Sequence, residues 1–152
     1  MSKTSEWFQQ AVPSPTEDNV RVQIGVHVEE FSEMLEQINF VGDSDAWDST
    51  ASWFNITFKH ALKQLADHLK KGALKPEILD HVEMLDSLCD QRVTAIGVGH
   101  MLGYDMDAAI DEVDRSNWSK FDEDGKPIFN ENGKVMKGPN YTKPKLKPMT
   151  NK

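Results

Sequence analysis

The sequence has a single cysteine and no long apolar run. Because Cys89 has no partner within the chain, a disulfide framework is excluded and a reducing compartment is favoured. No apolar segment approaches the roughly 18 residues that a membrane-spanning helix needs. The first ten residues, MSKTSEWFQQ, are polar and lack the apolar segment of a signal peptide. The sequence therefore predicts a cytoplasmic protein without a membrane partner.

The sequence also has fewer basic than acidic residues. The 152 residues include 25 acidic and 17 basic side chains, for a formal net charge of −8. Non-specific binding to nucleic acid needs a cationic surface, so we expect no nucleic-acid partner. The same charge is compatible with an acidic site that binds cations. The length suits one domain that can bury a core.

Apolar residues recur at helical spacing through most of the chain, and no run of strands competes with them. The predicted fold is therefore all-α, a four- to five-helix bundle. A loop is predicted over Asn39–Ser49, and Cys89 is predicted to be buried on the apolar side of its helix. The predicted helices are Ser5–Val12, Asn19–Ile38, Thr50–Lys71, Pro76–Gly103 and Met106–Lys120, the last capped by Asp105.

The composition changes after Phe121, where Gly, Pro, Asn and Lys become frequent. We predict that residues 1–121 form the helical bundle that holds the site. Residues 122–152 are predicted to form a short, irregular, basic C-terminal arm of the same domain. Within the arm, the sequence PIFNENGKVM favours a small hairpin about Asn132-Gly133.

Two of the predicted helices carry closely spaced carboxylates beside an apolar stripe. Glu30 and Glu33 are neighbours at i, i+3 on the second helix. On the fourth helix, Glu83, Asp86 and Asp90 fall within an arc of about 60°. One interpretation is a pair of solvated acidic faces. The other is that the helices pack antiparallel and the carboxylates converge on a hard cation such as Mg²⁺ or Mn²⁺, which would relieve their repulsion.

The order of these motifs resembles the MazG-like superfamily of all-α nucleoside triphosphate pyrophosphohydrolases, with its E-E-x-x-E helix followed by an E-x-x-D helix. Here the counterparts are EEFSE (Glu29–Glu33) and EMLD (Glu83–Asp86), with Asp90 four residues later. The chain is most similar to a short bacterial and phage subgroup labelled phosphoribosyl-ATP pyrophosphohydrolase-like. The stretches that carry this likeness are DEVDRSNWSKF and EDGKPIFNENGKVMKGPNY.

The resemblance implies a role for each matching residue. The metal ligands would be Glu30, Glu33, Glu83, Asp86 and Asp90, with the choice between Asp86 and Asp90 open. Glu29 would orient or deprotonate the attacking water, unless it simply faces solvent. Asn117 and Lys120 would bind the phosphates of the substrate. For Arg115, a phosphate contact and a cation that complements the helix dipole are equally good interpretations.

The implied function is a Mg²⁺- or Mn²⁺-dependent pyrophosphohydrolase, in a bacterial or phage-infected cytoplasm. Its favoured substrate would be dGTP or another purine deoxynucleotide, and phosphoribosyl-ATP is the alternative. The alternative outside the enzymes is a non-catalytic acidic helical adaptor. The extra helix Thr50–Lys71 departs from the family pattern, since the family joins its two acidic helices by a short linker. Its apolar content, together with the resemblance, predicts a homodimer or homotetramer.

Overall fold

The structure, a computed structural model, describes residues 2–131 and 133–150. In this part of the chain the regular structure is helical, and the only β-type pairing is an isolated antiparallel bridge between Phe129 and Val135. The prediction of an all-α protein is confirmed. The α-helices are α1 (Lys3–Ala11), α2 (Glu17–Glu36), α3 (Asp45–Trp53), α4 (Lys59–Lys70), α5 (His81–Met101) and α6 (Met106–Trp118).

Short polar side chains define where four of these helices begin. Thr16 and Asn19 form a reciprocal capping box at the start of α2. Asp105 caps α6 by accepting from the backbone N–H of Ala108, as predicted. The predicted start of the fourth helix at Pro76 was wrong. Asp80 accepts from the backbone N–H groups of Val82 and Glu83 in the first turn of α5, and this cap sets the start of the helix.

The extra helix is longer than predicted and is not uniform. A π-helical segment, Phe54–Phe58, joins α3 to α4, so the chain is helical from Asp45 to Lys70. The predicted loop was therefore wrong for its last five residues, Asp45–Ser49. Asp45 and Asp48 lie in the first turn of α3, where negative charge stabilises the helix dipole.

The chain divides into two compact units. We call Pro15–Pro76 with Glu131–Lys134 the central unit, and Met1–Ser14, Glu77–Asn130 and Val135–Lys152 the terminal unit. The helix with the EEFSE motif, α2, belongs to the central unit, and α5 with the EMLD motif belongs to the terminal unit.

In the central unit, α2 packs along α4. The buried apolar side chains at this contact are Val22 and Leu35 from α2, and Ala66 and Leu69 from α4. Gly25 allows the close approach, because a Cβ there would lie 3.1 Å from the carbonyl oxygen of Ala66. The partner of the EEFSE helix within its own unit is thus supplied by the extra helical segment.

In the terminal unit, a small aromatic core joins α1 to the end of α6. Trp7 and Phe121 stack with ring centroids 5.5 Å apart, and Ala11 is buried beside them. The indole Nε1 of Trp7 donates to the carbonyl oxygen of Asn117 at 2.8 Å. The core therefore holds the RSNWSK segment in place.

Helix α5 is mostly exposed, and Gly99 is its one buried residue. The prediction that Cys89 is buried was wrong, since its side chain is exposed. Its helix has an apolar side, but nothing in the described residues covers that side at Cys89.

The hairpin predicted about Asn132-Gly133 is only partly open to comparison, because Asn132 lies outside the described residues. On either side, the structure has the single bridge between Phe129 and Val135 and a backbone hydrogen bond from Met136 to Ile128. Gly133 has a φ of 75°, the left-handed conformation that a turn glycine adopts readily. None of the helices in the described residues is long and apolar enough to cross a membrane.

Candidate functional site

Glu29, predicted to act on the attacking water, takes part in a cluster of ion pairs. Its carboxylate lies 2.5 Å from Nζ of Lys70 and 3.2 Å from Nζ of Lys134. Lys70 also pairs with Asp67 at 3.2 Å. Burial raises the pKa of Glu29, but the hydrogen bonds from Lys70 and Lys134 outweigh it, so the pKa falls below its usual value. A carboxylate with a lowered pKa is a weaker base, so this geometry favours a structural ion pair, and the catalytic role stays a prediction.

The glutamates that follow Glu29 on α2 divide into two kinds. Glu36 pairs with Lys63 at 3.3 Å on the surface of the central unit. Glu30 and Glu33 are exposed, and among the described residues no cation or hydrogen-bond donor engages their side chains. Between Glu29 and Glu36, the two predicted metal ligands are therefore the carboxylates that no cation of the described residues compensates, as is also true of Glu17 in the first turn of α2.

The acidic side chains of α5 are likewise exposed and, among the residues described, without an ion pair. Glu83, Asp86 and Asp90 are exposed, and no ion pair reaches them within the described part of the chain. The carboxylate of Asp80, one turn earlier, caps the N-terminus of the helix. The spacing of i, i+3 from Glu83 to Asp86 and i, i+4 from Asp86 to Asp90 brings these three to one side of α5.

Each unit thus carries one acidic group, a pair on α2 and a triad on α5. Across residues 2–131 and 133–150, no three His, Cys, Asp or Glu side chains are grouped so that they could hold a metal ion. The donors themselves suit Mg²⁺ or Mn²⁺, which prefer carboxylate oxygens. The metal site and its predicted ligands stay a prediction.

Arg115 anchors the C-terminal arm to α6. Its guanidinium donates to both carboxylate oxygens of Glu112, at 2.7 and 2.8 Å, and to the hydroxyl of Thr142. The hydrogen bonds from Arg115, and then from the backbone N–H of Lys145, lower the pKa of Glu112 to about 2. This geometry uses Arg115 in the fold, and a phosphate contact would compete with that use.

Asn117 and Lys120 lie half-buried at the end of α6, next to Trp7. The backbone of Asn117 accepts from the indole, whereas no hydrogen bond engages its side-chain amide within the described residues. Nζ of Lys120 lies 5.8 Å from the centroid of the Trp7 ring, a cation–π distance. The structure thus keeps these two predicted phosphate ligands near each other in the terminal unit.

A cavity of about 650 Å³ lies in the terminal unit beside Asn117. Its polar lining includes Asp114 and Arg92, which the sequence reasoning did not single out. The spacing from Asp114 to Asn117, i, i+3 on α6, is a signal that could have paired them. What it could not reveal is that Asp114 is buried against a distant segment, α1, whose Thr4 donates to its carboxylate. A second cavity, of about 540 Å³ and lined in part by aromatic side chains, lies in the central unit.

Comparisons with family models, curated proteins and solved structures found no match to this chain.

Proposed function

We propose that the protein is a metal-dependent nucleoside triphosphate pyrophosphohydrolase of the all-α type. It would convert a nucleoside triphosphate, with dGTP or another purine deoxynucleotide favoured, to the monophosphate and pyrophosphate. The observation that carries the proposal is the contrast on α2. Glu30 and Glu33 match the family motif and lack a cation, whereas Glu29 and Glu36 each have a lysine.

In this reaction Mg²⁺ or Mn²⁺, when bound, would polarise the phosphoryl oxygens. It would also lower the pKa of a bound water toward neutral pH. Glu30 and Glu33 would hold the metal from α2, and Glu83, Asp86 and Asp90 from α5. Asn117 could donate its amide N–H to a phosphate oxygen, and Lys120 would supply a point charge. For Glu29 to accept a proton from water, its carboxylate would have to exchange the ammonium groups of Lys70 and Lys134 for that contact.

A hydrolysis assay with matched variants tests the proposal. The protein is incubated with each dNTP and phosphoribosyl-ATP, with Mg²⁺ or Mn²⁺, and pyrophosphate and monophosphate are measured. We expect Glu30→Gln and Glu33→Gln to lower kcat/KM by at least about 100-fold, as loss of a metal ligand does. Glu36→Gln, on the same helix but outside the motif, is the control and should keep its activity. Absence of turnover, or full activity in both motif variants, would refute the enzyme.

The alternative of another class is an acidic helical adaptor for a basic partner. The exposure of all three acids of α5 favours it, since an adaptor needs its charge on an outer face. An adaptor would bind a cationic peptide with an affinity that falls with added salt. It would show no turnover, and Glu30→Gln would weaken peptide binding no more than Glu36→Gln.

A further inference from the structure

The cavity in the terminal unit has the size and lining of a small-molecule site. Its volume of about 650 Å³ lies within the roughly 300–1,000 Å³ typical of ligand pockets. Apolar side chains form much of its wall, among them Met106, Ile110 and Val113 from the α6 segment and Leu146 and Met149 from the arm. Such walls suit the faces of a planar ring.

Asp114 places a buried carboxylate in this wall. The residue is only 5% exposed, and the hydroxyl of Thr4 donates to Oδ1 at 2.8 Å. In the described part of the chain, this is the one hydrogen bond to its carboxylate. No fully buried side-chain oxygen or nitrogen there lacks a partner, so Oδ2 must remain accessible. A carboxylate with an open oxygen and further lone pairs can accept two more N–H groups.

Two further polar groups complete the lining. The side-chain amide of Asn117 lies one turn along α6 from Asp114 and has no hydrogen bond within residues 2–131 and 133–150. Arg92, from α5, is exposed, and no ion pair in the same residues engages its guanidinium. The cavity thus combines a buried acceptor, an amide that can both donate and accept, and a cation open to solvent.

We propose that this cavity binds the base of a nucleotide that presents two adjacent N–H donors, as guanine does at N1 and its 2-amino group. Asp114 accepts both donors, while Asn117 keeps the phosphate contact proposed above and Arg92 attracts the phosphate. Adenine places an acceptor next to its amino group, and hypoxanthine has a single donor on this edge. The proposal specifies the base for the proposed hydrolase and rests on it for the reaction, whereas the binding can be measured separately.

Calorimetric titration of the full chain with dGMP, dIMP, dAMP and deoxyxanthosine monophosphate tests the pairing. We expect dGMP to bind at least about tenfold more tightly than dIMP, because the 2-amino group adds a hydrogen bond to a charged acceptor. In Asp114→Asn, the amide presents one acceptor and one donor, which complements N1–H and O2 of xanthine. This variant should therefore lose affinity for dGMP by about tenfold or more and gain affinity for the xanthine nucleotide.

Asp111→Asn is the matched control, because Asp111 is an exposed acid of α6 that pairs with Lys3. It should leave the order of nucleotide affinities unchanged. Thr4→Val removes the internal hydrogen bond and keeps the carboxylate, so it should retain the preference for dGMP even if α1 is destabilised.

Equal binding of dGMP and dIMP by the wild type, or an equal loss for all nucleotides in Asp114→Asn, would overturn the proposal. Binding of dGMP with this pattern but without hydrolysis of any triphosphate would refute the proposed reaction and leave the base site standing. Hydrolysis with a base preference that Asp114→Asn does not change would refute the base site alone.

Discussion

At the scale of single residues, identical side chains on one helix have different surroundings. Glu29 lies between two ammonium groups, whereas Glu30, the next residue, faces solvent without one. The sequence motif includes both glutamates, but it cannot show which of them pairs with a lysine. Lys70 and Lys134 lie 41 and 105 residues away from Glu29, and no local spacing predicts such a contact.

The ion pairs of Glu29 predict a dependence of stability on pH. Folding lowers the pKa of this carboxyl, so its contribution is complete above the unfolded value of about 4.5 and is lost as the pH falls through the lower folded value. We expect Glu29→Gln to lower the free energy of unfolding by about 1–2 kcal/mol at pH 7. In urea titrations, the difference between wild type and variant should shrink at pH values below 4.5. Glu36→Gln, at an exposed pair, should change stability much less, and an equal effect of the two would contradict the assignment.

At the scale of helices, the sequence predicts the presence of the helices well, but it predicts the residues at which they begin and end less well. The apolar period revealed every long helical segment. Proline at position 76 suggested a start that the cap by Asp80 overrides, because the carboxylate satisfies two backbone N–H groups. The loop predicted before the extra helix extended too far, because Asp45–Ser49 are helical. At Asp45 and Asp48, negative charge lies in the first turn of α3.

Two helical glycines give opposite predictions. Gly25 lies against α4, where an added Cβ would be 2.9 Å from Cγ of Lys70, whereas Gly97 on α5 has nothing within 4 Å. Replacing glycine by alanine favours a helix by up to about 1 kcal/mol where space allows. We expect Gly97→Ala to raise the melting temperature and Gly25→Ala to lower it, because α2 and α4 would have to separate. Thermal unfolding followed by circular dichroism measures both, and a stabilised Gly25→Ala would contradict the close packing.

At the scale of the whole molecule, many large apolar side chains are left exposed. On α5, Val82 is 74% and Val93 is 65% exposed, and Ile56 in the extra helical segment is 71% exposed. Exposed apolar surface that extends along a helix is typical of an interaction site. The homodimer or homotetramer predicted from the sequence would cover such surface with a second copy of the chain.

Light scattering during size exclusion tests this self-association. We expect more than one copy per particle at micromolar concentration. Val82→Lys with Val93→Lys should shift the particle toward one copy if α5 forms the interface, and Ile56→Lys should do so if the extra segment forms it. A single copy in the wild type at every concentration would contradict the prediction.

Some features of the candidate site could be predicted from the sequence, and others could not. The acidic spacings and the RSNWSK segment are local patterns, so the carboxylates on α2 and α5 and the pair Asn117 and Lys120 could be singled out. The division into two units, the burial of Asp114 and the use of Arg115 as an anchor for the arm depend on contacts between distant segments. Periodicity carries no information about those contacts, and only the packed chain supplies them.

The ion pairs of Glu29 also order events in time. At a translation rate of about 5–20 residues per second, Lys134 leaves the ribosome roughly 5–20 seconds after Glu29, whereas Lys70 follows within roughly 2–8 seconds. The pair between α2 and α4 can therefore form while the rest of the chain is still being made. The central unit receives Lys134 only after α5 and α6 have been made, and until then one carboxylate oxygen of Glu29 remains available to solvent cations.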